Sequence, residues 1–350
     1  MTNDLQEIKA HHDALPGPSA TAVTMAKDRL TAEVAAERGP HIRSAKQRLL
    51  LRAVAVGLAA TVGAVAFLVG TDGGETPASA AELLQKAATT ADREQQPLPG
   101  QFVYVSRQDQ SFVAYMSRSL RSDYIQEVDR AAWIPAADPG GALIRSTYGE
   151  RRALTGRLPT DLPTPGTVEV QRYGRCAVGV FPATSAENLP ADPDQLLARV
   201  RADAEAAVRN ERPDPRTAPL SEEQIRQSIE STVAARLALL AENPFPGPGL
   251  RAAVLGALSK MPTATMRTDL TDPAGRQGVG ASIRYQGLEG WERTELIFEP
   301  GTYRFLGWRK LIEPPGGGPE VLRYATAVLE TKVVDAMPKI PAGASEAMTC

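Results

Sequence analysis

The chain has 350 residues, with Lys+Arg 39 against Asp+Glu 41 and a formal net charge of −2. So even a balance gives no general argument for nucleic-acid binding, which shows as a strongly basic face or domain. Aromatics are sparse at 5%, and Gly 29 with Pro 28 implies a sizeable loop fraction; disorder throughout is excluded because clear apolar periodicities persist.

Residues 1–48 read as a short segment with one amphipathic helix. Val23, Ala26, Leu30 and Val34 recur at helical spacing and form one stripe, which Gly39-Pro40 ends. The stripe could dock on a cytoplasmic protein partner or lie on a membrane surface. It could equally be a marginal helix, since isolated short helices are barely stable in water.

Residues 49–70 read as a transmembrane helix. Ala53 to Gly70 holds eighteen residues without a charge. At about 1.5 Å per residue this run spans roughly 27 Å, close to the ~30 Å hydrocarbon core of a bilayer. Arg43, Lys46, Arg48 and Arg52 precede it, whereas Asp72, Glu75 and Glu82 follow it. Lys and Arg beside a span stay on the cytoplasmic side, so these four set the topology: N-terminus inside, residues 71–350 extracytoplasmic, in a single-pass protein of the cell membrane. The rival reading is a secretory signal cleaved after Ala78-Ser79-Ala80. Signal peptides run to about 15–30 residues, and this one would be far longer, which favours an uncleaved anchor.

A linker, 71–78, leads to an extracytoplasmic domain at 79–340 and a tail at 341–350. Ser79 with Glu82 three residues on makes a capping-box arrangement for a first helix, whose apolar side is Leu83, Leu84, Ala87 and Ala91. Strand-like runs follow at 101–106, 111–118, 122–128 and 142–148, and 158–190 reads mostly as loop. Asp192-Pro193 opens a second helix to about Asn210. Ser221 and Gln224 open a third, with Ile225, Ile229, Val233, Leu237 and Leu240 as its seam. A fourth covers about 250–260. Runs at 265–270, 277–286, 291–299, 303–312 and 320–334, joined by turn-rich connections, predict an antiparallel meander. The expected fold class is α+β: one curved antiparallel sheet with helices on one face.

The three histidines, His11, His12 and His41, all precede the predicted span. That removes Ser-His-Asp and Cys-His nucleophile systems, and His-containing metal sites, from the extracytoplasmic part. No phosphate-cradling GxxxxGK[ST] loop occurs. Asp and Glu pairs default to solvated surface charge. The chain therefore reads as non-enzymatic, without cofactor or metal. Cys176 and Cys350 are its two cysteines; an oxidising compartment would permit a disulfide, but a terminal Cys350 could also stay free. Trp291, Phe298, Tyr303, Phe305 and Trp308 cluster on the predicted meander, where core packing is favoured over a cradle for a lipid or peptide.

Five stretches in order carry a resemblance: Pro77-Ala-Ser-Ala-Ala-Glu-Leu-Leu84, Pro99-Gly-Gln-Phe-Val-Tyr-Val105, Leu189-Pro-Ala-Asp-Pro-Asp-Gln-Leu196, Thr271-Asp-Pro-Ala-Gly-Arg276 and Arg293-Thr-Glu-Leu-Ile-Phe-Glu-Pro300. Together they resemble an uncharacterised, locus-tag-named family of actinobacterial single-pass membrane proteins. The resemblance implies membrane anchorage and a common genomic neighbourhood with extracytoplasmic-function sigma factors; it carries over no catalytic residue. The expected layout also looks like the half-barrel of lipoprotein carriers, by fold analogy alone. Two functions are thus expected: an extracytoplasmic binding or sensor protein with a regulatory, sigma-factor-associated role, or a tethered carrier for an apolar or lipid-like envelope ligand. Residues 1–52 hold no cysteine, which departs from the zinc anti-sigma pattern His-x₃-Cys-x₂-Cys.

Overall fold

The computed structural model describes residues 77–117, 121–136, 141–173, 189–210, 220–242, 247–287, 290–313, 318–339 and 345–347. The predicted span, its flanking Arg43, Lys46, Arg48 and Arg52, the stripe Val23, Ala26, Leu30 and Val34, and both Cys176 and Cys350 lie outside the described residues. Among the described residues no helix is long and apolar enough to cross a membrane.

Helix α1, Ala80–Asp92, begins where Ser79 Oγ accepts from the Glu82 backbone N–H at 3.2 Å. Glu82 itself accepts from Ala78 N at 2.8 Å, one residue before the reciprocal position of a capping box. Strands β1, Phe102–Met116, β2, Arg121–Pro135, β3, Leu143–Thr155, and β4, Val168–Tyr173, follow. Three helices come next: α2, Pro193–Asn210, α3, Glu222–Glu242, and α4, Pro248–Leu258. Ser221 and Gln224 form a full capping box on α3, each side chain bonding the other's backbone N–H. Then come β5, Ala264–Thr271, β6, Gln277–Gln286, β7, Trp291–Phe298, β8, Phe305–Ile312, β9, Val321–Val334, and a short β10, Ser345–Ala347.

All strands join one open sheet in the order β10-β4-β3-β2-β1-β9-β8-β7-β6-β5. Neighbours are antiparallel except β10, which runs parallel to β4. The meander β5 to β9 is as expected, and the β1–β9 pairing closes it onto the N-terminal strands. The class is α+β.

Three expectations are corrected. The runs at 101–106 and 111–118 are one strand, β1, continuous through Arg107-Gln108-Asp109-Gln110. That polar middle reads as a break, but Asp109 is buried there among charged and hydroxyl partners. Part of the predicted loop at 158–190 is β4, whose Val-Glu-Val alternation is too short to stand out. Tyr303 belongs to the β7–β8 turn at φ 59, where its N–H donates to the Glu299 carbonyl.

The helices pack on one face over β5, β6 and β7. Leu83, Leu84, Leu196, Val233, Leu237, Val254 and Leu258 are buried against Ile283, Tyr285, Leu296, Phe298 and Trp308. Alternate residues of a strand face opposite sides, and directly paired residues share a side. By that rule the pairings Ile283–Thr294–Lys310–Tyr324–Ser111 and Ala281–Leu296–Trp308–Thr326–Asp109–Val128 lie on this same helix-bearing face. On the opposite face Glu295 is buried among Arg267, Arg293 and Arg309, of which Arg293 also pairs with Glu320 and Arg267 with Asp269.

Candidate ligand cavity

On the helix-bearing face, where the helix layer gives way to β9 and β1, lies a cavity of about 480 Å³ lined by Arg107, Glu292, Trp308, Lys310, Ile312, Arg323 and Tyr324. Six of the seven reach it through ordinary strand alternation. The seventh arrives by a bulge: Lys310 pairs with Tyr324 and Leu311 with Leu322, so Arg323 is an extra residue in β9. A bulge re-aims a side chain that regular pleating would send to the other face.

Trp308 and Tyr324 form an apolar wall, stacked with ring centroids 5.1 Å apart and planes at 22°. Lys310 Nζ lies 5.9 Å from the Trp308 ring centroid. The indole Nε1–H is sealed in the core and has no acceptor among the described residues.

Two polar networks flank this wall. On one side, fully buried Asp109 accepts from Arg130, from Arg107 at 3.2 Å and from the Thr326 hydroxyl at 2.7 Å; Arg130 also donates to Tyr324 Oη at 3.1 Å. Burial pushes the Tyr324 phenol above its ordinary value, and the Asp109 carboxylate adds to the rise. On the other side, Glu242 at the end of α3 accepts from Lys310 at 2.9 Å and from the Thr294 hydroxyl at 2.8 Å, while Tyr285 Oη lies 3.1 Å from Thr294. Burial pushes the Glu242 carboxyl up from its ordinary range. Burial works to lower Lys310, yet the charge and hydrogen bond of Glu242, with Tyr285 and Glu292 nearby, together outweigh it and hold the ammonium above its usual value. At 2.9 Å the two are a charged pair, in a place that penalises either charge alone.

A second cavity, about 330 Å³, lies further along β9 on the same face, with Val103, Phe305, Val328, Leu329 and Val333 on its apolar side and Arg251, Arg304, Lys332, Glu94 and Glu330 among its charged groups. It too holds a bulge residue. Ser106 pairs with Glu330 and Arg107 with Val328, which leaves Leu329 as the extra residue. Each cavity thus holds one β9 bulge residue, and Thr326 lies between the two bulges.

Of the aromatics singled out from sequence, Phe298 and Trp308 are buried in the core, and Tyr303 and Phe305 pack against it. Trp291 is exposed on the opposite face under Arg284, 4.3 Å from its ring centroid. The sequence reading did not single out Arg107, Asp109, Glu242, Lys310, Arg323 or Tyr324. Glu242 left a signal: it continues the buried stripe Ala234, Ala238 at helical spacing. Among the described residues no group of three or more His, Cys, Asp or Glu is placed to hold a metal ion. No protein-family model and no curated protein matches the chain.

Proposed function

We propose that the chain is a membrane-anchored, non-enzymatic extracytoplasmic binding or sensor protein. The observation that carries this reading is the 480 Å³ cavity, where a stacked aromatic wall meets convergent charged groups beside the helix layer that covers β5, β6 and β7. Four of the seven lining residues are charged, so the site suits a polar or charged small ligand with a part that packs on the aromatic wall. The anchor rests on residues 49–70 and on Arg43, Lys46, Arg48 and Arg52. The non-enzymatic character rests on the confinement of histidine to residues 1–41, and the link to a sigma factor rests on the family resemblance alone. The half-barrel carrier analogy supplies a second reading, a tethered carrier of an apolar or lipid-like ligand. It is favoured by the apolar side of the 330 Å³ cavity.

Two experiments test these readings. A reporter active only in the cytoplasm should work at the N-terminus and fail when fused beyond Thr90; the reverse pattern sinks the orientation. Residues 1–48 can then be exchanged for an unrelated basic segment. Lost signalling with ligand binding intact supports the sensor, whereas full retention of function supports the carrier.

A further inference from the structure

We propose that the cavity at Arg323 is an anion site in which Lys310 is exchanged between Glu242 and a bound oxyanion whose aromatic or apolar body lies against Trp308 and Tyr324. This deepens the binding reading above and rests on it. The lining carries Arg107, Lys310, Arg323 and Glu292; with the adjoining Arg130, Asp109 and Glu242 counted, four cations face three carboxylates. That excess of one positive charge becomes two once Glu242 is neutral, so the local field favours an anion. Arg323 is there only because β9 is bulged, a local departure from pairing that brings a further positive charge to this spot. The wall beside these cations is a stacked aromatic pair, which suits an organic anion with an aromatic or apolar body better than a bare inorganic one.

Lys310 is the residue that both sides need. It lines the cavity and also supplies the counter-charge of Glu242. The groups around Glu242 are Lys310 from β8, Thr294 and Glu292 from β7 and Tyr285 from β6; of these only Lys310 is cationic. When the ammonium turns to the ligand, Glu242 keeps the Thr294 hydroxyl but loses its cation in a buried place. It then takes up one proton from water and becomes neutral. Binding and proton uptake are therefore linked, and affinity rises as pH falls.

The test uses the full chain in nanodiscs of zwitterionic lipid, titrated calorimetrically with benzenesulfonate, with sulfate and with the neutral benzenesulfonamide. A sulfonate does not titrate except in strong acid, so any proton uptake belongs to the protein. Benzenesulfonate should bind more tightly than either control, with proton uptake revealed by comparing buffers of different ionisation heat. Arg323 is exposed, so Arg323→Gln leaves the fold intact and should weaken binding about two- to fivefold. Glu242→Gln should tighten binding and abolish the proton uptake. Equal binding of the sulfonamide, no binding of the sulfonate, or proton uptake that persists in Glu242→Gln would each overturn the site. Repeating the titration in phosphatidylglycerol discs names the source: competition there assigns a lipid headgroup, and no competition assigns a soluble anion, either result supporting the site. If the sulfonate fails while another small molecule still copurifies with the chain, the anion site falls and the binding reading stands.

Discussion

Lys310 on β8 reaches Glu242 at the end of α3 at 2.9 Å, and this contact ties the helix layer to the sheet at the edge of the cavity. Removing one partner strands the other. Lys310→Met should cost about 3–5 kcal/mol, because a buried carboxylate is left without its cation. The double variant with Glu242→Gln should recover most of that, since a neutral pair has little to desolvate. The pH dependence has a definite sign. Glu242 sits above its ordinary pKa of 4.5, so between that value and its folded one the native state holds more protons than the unfolded chain. Stability therefore falls as pH rises through this window. Lys310→Met removes the one cation opposing the rise and should widen the window; urea midpoints measured across pH check both.

Trp308 offers a test of what the cavity wall contributes. Its indole N–H is buried without an acceptor among the described residues, so the polar atom stabilises nothing. Trp308→Phe should then be nearly neutral, or lose no more than about 1–2 kcal/mol for the missing ring volume. Trp308→Ala should lose about 3–5 kcal/mol by opening a hole between Leu296 and Tyr324. Equal losses for the two variants would show that the indole nitrogen does have a partner.

Periodicity made the helices and the meander legible. Asp192, Ser221 and Ser79 are caps with a mechanism, and the buried Ile229, Val233 and Leu237 follow the seam that spacing predicts. The cavity was not legible, for a physical reason. Arg107 and Asp109 belong to β1 while Thr326 and Tyr324 belong to β9, so they meet through a pairing that spans most of the domain. A charged residue inside a strand run reads locally as a break; only its long-range partners make burial tolerable. Arg323 was hidden further, since its place depends on a bulge that β9 shows only against β8.

Gly307 should tolerate no side chain. It lies in β8 at φ 148, and an added Cβ would meet the Thr326 carbonyl oxygen at 1.9 Å. Both the dihedral and the contact are backbone properties, so no rotamer change relieves them. Gly307→Ala should cost at least about 2 kcal/mol in chemical unfolding. The neighbouring Trp308 and Thr326 would have to shift, so sulfonate binding should weaken as well. A Gly301→Ala control keeps a positive φ of 84 but has open space around its Cβ. It should cost less and leave the cavity alone.

Asp109 poses the sharpest electrostatic question on β1. Its carboxylate is fully buried and accepts from Arg107, Arg130 and Thr326, and Arg130 also donates to Tyr324. Asp109→Asn keeps the shape and one acceptor oxygen but removes the carboxylate charge that pairs with both guanidinium groups. The arginines, each partly exposed, then repel each other around a buried neutral amide; breaking a fully buried pair costs about 3–5 kcal/mol, and the partial exposure here puts the loss at the lower end. Asp109→Leu would remove the acceptor as well and leave the Thr326 hydroxyl unsatisfied, so it should be worse than Asn. Adding Arg130→Met to Asp109→Asn relieves the repulsion and should recover part of the loss. The cycle of the two single and one double variant, read by urea unfolding at fixed pH, measures that coupling. A coupling near zero would mean that Arg130 turns to solvent once Asp109 is neutral, and the Asp109–Arg130 contact would then contribute nothing to the network.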